Sequence, residues 1–301
     1  MFNIKIVNKL LDTYCKKCSH LELAKKSVRW SVITSIFLIA IKCIAWIVTD
    51  SVSMHASMTD SILDAFTSFI AYHSLIFSET NRDESHNFGH EKVEGLMALF
   101  QSVIIIYSGI IICREAYEMF VNPSTVQSSG CGVLVMIISC FAVYQLIYFQ
   151  KYVMKKTESI LVEGDSLHYV SDFLMNICIM VSLALSAYFK YIDAICGLVV
   201  GCYVFYNALL ILKNAVIDLM DESLPKKSIK KIEGVIMKEP RIKRIKSLRT
   251  RSAGMKKYIE ACLQGDENLS LKDSYKISQE LESELRKIWE KVDVMIRIDP
   301  E

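Results

Sequence analysis

Long apolar runs fill the chain from Arg29 to Lys213, and shorter helical and strand-like alternations follow them to the C-terminus. A bilayer-spanning helix needs about 20 mostly apolar residues, because ~30 Å of hydrocarbon is crossed at 1.5 Å per residue with every backbone polar group bonded internally. Six stretches meet this demand, near 29–48, 55–78, 94–116, 131–150, 166–188 and 192–212. Runs such as Ser31–Ala40, Ser102–Cys113, Gly132–Tyr144 and Ile195–Leu212 carry almost no charge. The second and fifth stretches are less apolar and carry ionisable residues.

Beyond about Glu222 the periodicity changes. Lys226–Lys238 reads as an amphipathic helix stopped before Pro240, and Ile242–Arg251 and Lys257–Leu263 read as strands around a turn at Ser252-Ala253-Gly254. Leu271–Glu290 repeats Ile277, Leu281, Leu285 and Ile288 at helical spacing, and Val292–Ile298 reads as a last strand. The pattern predicts an αββαβ domain with a small antiparallel sheet. The fold class is therefore an α-helical membrane protein with six transmembrane helices and a C-terminal cytoplasmic α+β domain. Its segments are 1–28 (cytoplasmic N-terminus), 29–212 (membrane domain) and 213–301 (junction and cytoplasmic domain). The tail is small enough for oligomerisation to help its stability.

Of the 301 residues, 52% are hydrophobic and 23% charged, which excludes a disordered chain. The net charge of +2 offers no footprint for nucleic acid. Basic residues mark the cytoplasmic side. Lys5, Lys9, Lys16, Lys17, Lys25, Lys26 and Arg29 precede the first span, Arg82 and Lys92 bracket the loop at 79–93, and Lys151, Lys155 and Lys156 follow the fourth span. The opposite loops hold only Lys190, so both termini are expected in the cytoplasm. Met1–Ser27 lacks the apolar core and small-residue site of a cleaved signal peptide. Most of the ten cysteines sit in or beside apolar runs without regular spacing and read as buried hydrophobes. Cys15-x-x-Cys18 with His20 reads as part of a reduced N-terminal helix rather than a thiolate trap.

Charged side chains at membrane depth cost about 2.5–3.5 kcal/mol each at a helix centre, so those that persist usually face a cavity and have a function. The second span holds Asp60 and Asp64, and the fifth holds His168 and Asp172. Each pair is spaced i, i+4, which stacks two side chains on one helix face. Two such faces opposed would converge three carboxylates and one imidazole, a ligand set suited to zinc, with cadmium, ferrous iron and manganese also compatible. The plainer alternative, partnered structural polar residues, accounts less well for two matching pairs. It accounts better for His55 and His73, and Asp193 reads as favourable charge at a helix N-terminus. In the loop before the third span, Asp83, His86 and His90 fall at i, i+3 and i+7 and form a second candidate set, with a solvated loop as the alternative.

Three segments occur in order: Ser51-Val52-Ser53 leading to Asp60-Ser61-Ile62-Leu63-Asp64, His86-x-Phe88-Gly89-His90-x-Lys92, and His168-Tyr169-x-Ser171-Asp172. On these the sequence resembles the cation diffusion facilitator family, in particular its bacterial zinc/ferrous-iron efflux branch, over nearly the whole chain. The resemblance implies a homodimeric divalent-cation/proton antiporter in a bacterial inner membrane, with a metallochaperone-like tail. It implies a transport site of Asp60, Asp64, His168 and Asp172, a loop site of Asp83, His86 and His90, and an interlocked charge pair, Lys92 and Asp221, at the dimer junction. The tail departs from the branch: Lys246, Cys262, Tyr275 and Arg297 stand where metal ligands are expected, and Asp299 alone is retained. Two cations there repel a metal ion, so the tail is expected to support the dimer by packing and charge pairs.

Ligand chemistry supplies a mechanism. A metal binds histidine only when the ring is neutral, and the unperturbed pKa near 6.5 makes protons and metal compete at physiological pH. Zinc ranks first and ferrous iron second as cargo, exchanged against protons, with no catalytic cofactor. The rival classes are a membrane-embedded metal-dependent hydrolase, which lacks an H-E-x-x-H motif and an evident extra base, and a metal sensor, which the depleted tail disfavours.

Overall fold

The computed structural model describes residues 19–49, 52–80, 82–121, 130–185, 191–267, 269–289 and 291–300. Cys15 and Cys18 lie outside them, as do much of the basic N-terminal segment and Lys190. Six long helices come first: α1 (His20–Thr49), α2 (Val52–Phe77), α3 (Lys92–Val121), α4 (Gly130–Thr157), α5 (Ile160–Leu185) and α6 (Ile192–Leu219). The chain divides into two compact units near residue 215.

Among the described residues, His20–Val48, Lys92–Val121, Leu134–Thr157 and Ala194–Leu219 are long and apolar enough to cross a membrane. The other two long helices, α2 and α5, carry Asp60, Asp64, His168 and Asp172. The first unit is patterned inside out. Ile36, Ile44, Ile47, Phe66, Phe100 and Phe141 are exposed, whereas Ser31, Ser68, Gln101, Gln150 and Asp165 are buried. Apolar surroundings make that distribution favourable, since polar groups then satisfy one another in the interior. Helix α1 packs on α2 and α4, and α5 packs on α4 and α3. Gly201 of α6 meets α3 closely, for a Cβ there would stand 2.6 Å from the Cys113 sulfur.

The second unit contains α7 (Lys226–Ile236), β1 (Ile242–Ala253), β2 (Lys256–Gly265), α8 (Leu271–Arg286) and β3 (Val292–Asp299). Ser270 caps α8 by accepting the Asp273 N–H. Ile277, Leu281 and Leu285 of α8 and Ile232 and Ile236 of α7 cover Ile259 and Leu263 of β2 in one apolar core. Strand order is β1-β2-β3. The sheet is mixed rather than wholly antiparallel, because β3 pairs in parallel with β2. The reason is topological: α8 carries the chain back across the sheet before β3 begins, whereas a tight turn joins β1 to β2. Asp218, just before the end of α6, accepts from Ser252 Oγ at 2.8 Å and the Gly254 N–H at 3.0 Å, anchoring that turn.

Candidate metal sites

Helix α2 turns a buried stripe of Ser61, Asp64, Ser68, Ala71 and Leu75 inward, at the three- and four-residue spacing of one helix face. Opposite it, α5 presents His168. The His168 Nε2 lies 2.6 Å from Asp64 Oδ1 and 3.9 Å from Asp172 Oδ2. One ligand atom from each of Asp64, His168 and Asp172 falls within 4.8 Å of the others, the spread over which a single divalent ion joins three groups. Asp60 is exposed and stands outside this cluster. An i, i+4 pair is offset by about 40° around the helix axis. With Asp64 turned inward, Asp60 is left at the edge of the same face.

Two charged groups escaped sequence reasoning. Lys42, in the apolar centre of α1, donates to the Ser57 carbonyl at 3.1 Å and to Ser61 Oγ at 2.7 Å, beside Asp60 on α2. Asp165, one turn before His168, is 2% exposed and accepts from Ser31, Ser68 and Gln150. Lys42 interrupts an apolar run, which is a legible signal, whereas Asp165 lies in the polar stretch Glu163-Gly164-Asp165-Ser166; neither has a charged partner at i±4.

The loop set also assembles. Asp83 Oδ1 accepts the backbone N–H groups of His86 and Ser85 and lies 3.1 Å from His86 Nδ1, while Asp83 Oδ2 is 3.4 Å from His90 Nε2. The His86 N–H, above all, holds the Asp83 carboxyl below its ordinary pKa. Gly89, with φ +95°, makes the turn that brings His90 back beneath His86. Thr80 Oγ1 donates its only proton to the Phe77 carbonyl at 2.8 Å and lies 2.9 Å from His90 Nδ1. His90 thus has a hydroxyl beside Nδ1 and a carboxylate beside Nε2, partners that orient the ring towards Asp83.

In the tail, Asp299 is satisfied by protein. Arg297 Nε donates to it at 2.7 Å, Lys246 Nζ at 3.2 Å and the Cys262 thiol at 3.3 Å. Arg297 chiefly, with Cys262 and Lys246, holds the Asp299 carboxyl below the ordinary range, and burial pushes the Cys262 thiol up. Tyr275 is exposed and accepts from Gln279. Among the described residues, both metal-compatible clusters lie in the first unit. Lys92 opens α3, and Asp221 accepts from Arg251 at 3.1 Å within the tail.

Residues 28–220 match the cation efflux transmembrane domain, and residues 224–301 match the cation efflux protein cytoplasmic domain. The chain belongs to the cation efflux family. Membership makes it an integral membrane transporter rather than an enzyme. Among similar proteins, Protein p34 of Rickettsia rickettsii is 33% identical over 278 residues, covering 92% of both chains. The cation-efflux pump FieF of Serratia proteamaculans is 34% identical over 92% of this chain and 93% of its own, and that of Klebsiella pneumoniae strain 342 is 36% identical over 87% and 88%. Both family domains fall on the two units already distinguished by their packing.

Proposed function

We propose that this protein is a homodimeric divalent-metal/proton antiporter that exports zinc, and secondarily ferrous iron, from the cytoplasm by alternating access across a bacterial inner membrane. All six long helices cross the bilayer in this reading, both termini are cytoplasmic, and the tail is an αββαβ, metallochaperone-like domain whose dimer junction uses Lys92 and Asp221. The observation that carries the reading is the convergence of Asp64, His168 and Asp172 in the membrane unit. Asp60 completes the transport site when metal draws it in. Asp83, His86 and His90 collect the ion at the cytoplasmic face.

The proton side follows from one distance. At 2.6 Å, His168 Nε2 and Asp64 Oδ1 share a hydrogen bond, so a proton occupies the line between two atoms that a metal would ligate. Metal entry displaces that proton, and a proton arriving from the acidic side expels the metal. Exchange is thus built into the ligand pair. Zinc fits the mixed nitrogen and oxygen donors, and the surplus of carboxylates admits iron.

The test follows zinc and internal pH together in proteoliposomes. Wild-type protein should move zinc and protons in opposite directions, and Asp64→Ala or Asp172→Ala should abolish both movements. Full activity in both variants would reject the site. Zinc movement without any pH change would reject the exchange.

A further inference from the structure

Beneath the metal cluster lies a second polar layer that no transported ion needs to touch. Its centre is Asp165. Ser31 Oγ of α1 donates to Asp165 Oδ2 at 2.5 Å, Gln150 Nε2 of α4 donates to the same oxygen at 2.7 Å, and Ser68 Oγ of α2 donates to Oδ1 at 3.0 Å. Tyr169, fully buried, donates to the Ser31 carbonyl at 3.1 Å and rests its hydroxyl 3.1 Å from Ser68. One carboxyl of α5 thus gathers side chains from three other helices.

The arrangement is a ladder. Asp64 and Ser68 are four residues apart on α2, and His168 and Asp165 are three apart on α5. Asp64 pairs with His168, and Ser68 with Asp165. Stepping forward on α2 means stepping back on α5, so the helices run antiparallel, with rungs about 4.5–6 Å apart by helical rise. The upper rung is the metal site, whose bond must break when an ion enters. The lower rung has no such duty. Buried hydrogen-bond partners left unmatched are costly in an apolar medium, so sliding α2 along α5 would break the lower rung before the upper atoms separated far.

We propose that Asp165 is a positioning residue, which through Ser68, Ser31 and Gln150 holds α2 in register with α5 and so sets the Asp64–His168 separation. The proposal rests on the transport reading for its kinetic consequence, but its geometric consequence is independent of transport. Loss of a partner that orients a metal ligand typically costs about 10–100-fold in affinity.

The experiment has two readouts on Asp165→Asn. In proteoliposomes, the zinc KM should rise about tenfold, at the low end for an outer-shell partner, while Vmax stays within about twofold. Ser159→Ala, which cuts a buried pair to Glu94 away from the ladder, should leave KM unchanged. The second readout uses no metal. In a cysteine-free background carrying Asp64→Cys and His168→Cys, the upper rung is gone, and dibromobimane cross-linking of the two positions reports register alone. Adding Asp165→Asn should cut the cross-linking yield several-fold.

Wild type that moves no zinc, together with the expected cross-linking loss, would overturn the transport reading and leave the positioning role standing. Unchanged KM and unchanged cross-linking in folded Asp165→Asn would overturn the proposal, and so would a lowered melting temperature with both readouts unmoved. If Asp165→Asn does not fold, Ser68→Ala removes the Asp165 bond of the lower rung, with the Tyr169 contact beside it, and is judged by the same two readouts.

Discussion

Replacing Asp64 by Asn keeps the shape of the side chain and removes one charge from the point where a cation is held. The side chains of Asp64 and His168 are only 12% and 20% exposed, so solvent screening at the pair is limited. A unit charge acting on a unit charge at 4 Å is worth about 4 kcal/mol at an effective dielectric constant near 20. The ion carries two charges and sits closer than 4 Å to its ligands, while Asn spares the cost of keeping a carboxylate dehydrated and still offers a carbonyl oxygen. These corrections oppose each other, and a net loss of at least about 2.7 kcal/mol, or 100-fold in zinc affinity, is expected. Isothermal titration of purified full-length protein in detergent measures it directly, with Asp83→Asn present in both samples so that the loop site does not mask the signal. Thermal unfolding without metal should shift little, because Asn still accepts or donates one hydrogen bond to His168. Affinity within threefold of the parent would refute the reasoning, for it would mean that no ion sits between Asp64 and His168.

Three further outcomes are expected. Lys42→Met should lower the zinc KM and slow turnover in vesicles, because the ammonium group bonded to Ser57 and Ser61 supplies a built-in positive charge that opposes metal retention; an unchanged KM would deny that charge a part. A fragment spanning Val216–Glu301, which has its own core, should bind no stoichiometric zinc at micromolar concentration, since Arg297, Lys246 and Cys262 already occupy Asp299. The lowered pKa of Asp299 means that its contribution to stability is complete above the unfolded value of about 3.9 and is lost as pH falls through the folded one. The melting-temperature gap between that fragment and its Asp299→Asn variant should therefore be widest at neutral pH and close towards pH 3, and a gap that widens in acid would contradict this account.

The tail was the most legible part of the chain. Ile277, Leu281 and Leu285 repeat at helical spacing on one face, and they are the residues buried in the core. Strand direction was not legible, because alternation records which face of a strand is buried and says nothing of the neighbour's direction. The first helix runs beyond its expected span for a related reason. Hydropathy marks an apolar run from about residue 29, but α1 starts at His20, and its first turns bury Leu21, Leu23, Ala24 and Val28. The i, i+4 pairing of acidic and imidazole groups singled out Asp64, His168 and Asp172, whose ligand atoms the structure brings within 4.8 Å of one another, and Asp60, which it leaves outside. It missed Asp165 and Lys42, whose partners are serines, a glutamine and a backbone carbonyl on distant helices, contacts that leave no spacing in the sequence.

The order of the tail's sheet bears on how two copies meet. Strand β1 lies at an edge, and Lys243, Arg244, Lys246 and Arg249 stand exposed along it. Charges of one sign spaced along an edge discourage a second strand from docking there. Extension of the sheet from β1 is therefore disfavoured when two copies meet, which leaves the β3 edge, the helices, the loops and the sheet's open face for the contact. The same fringe of cations guards the tail against open-ended strand addition when neighbouring copies crowd on one side of a membrane.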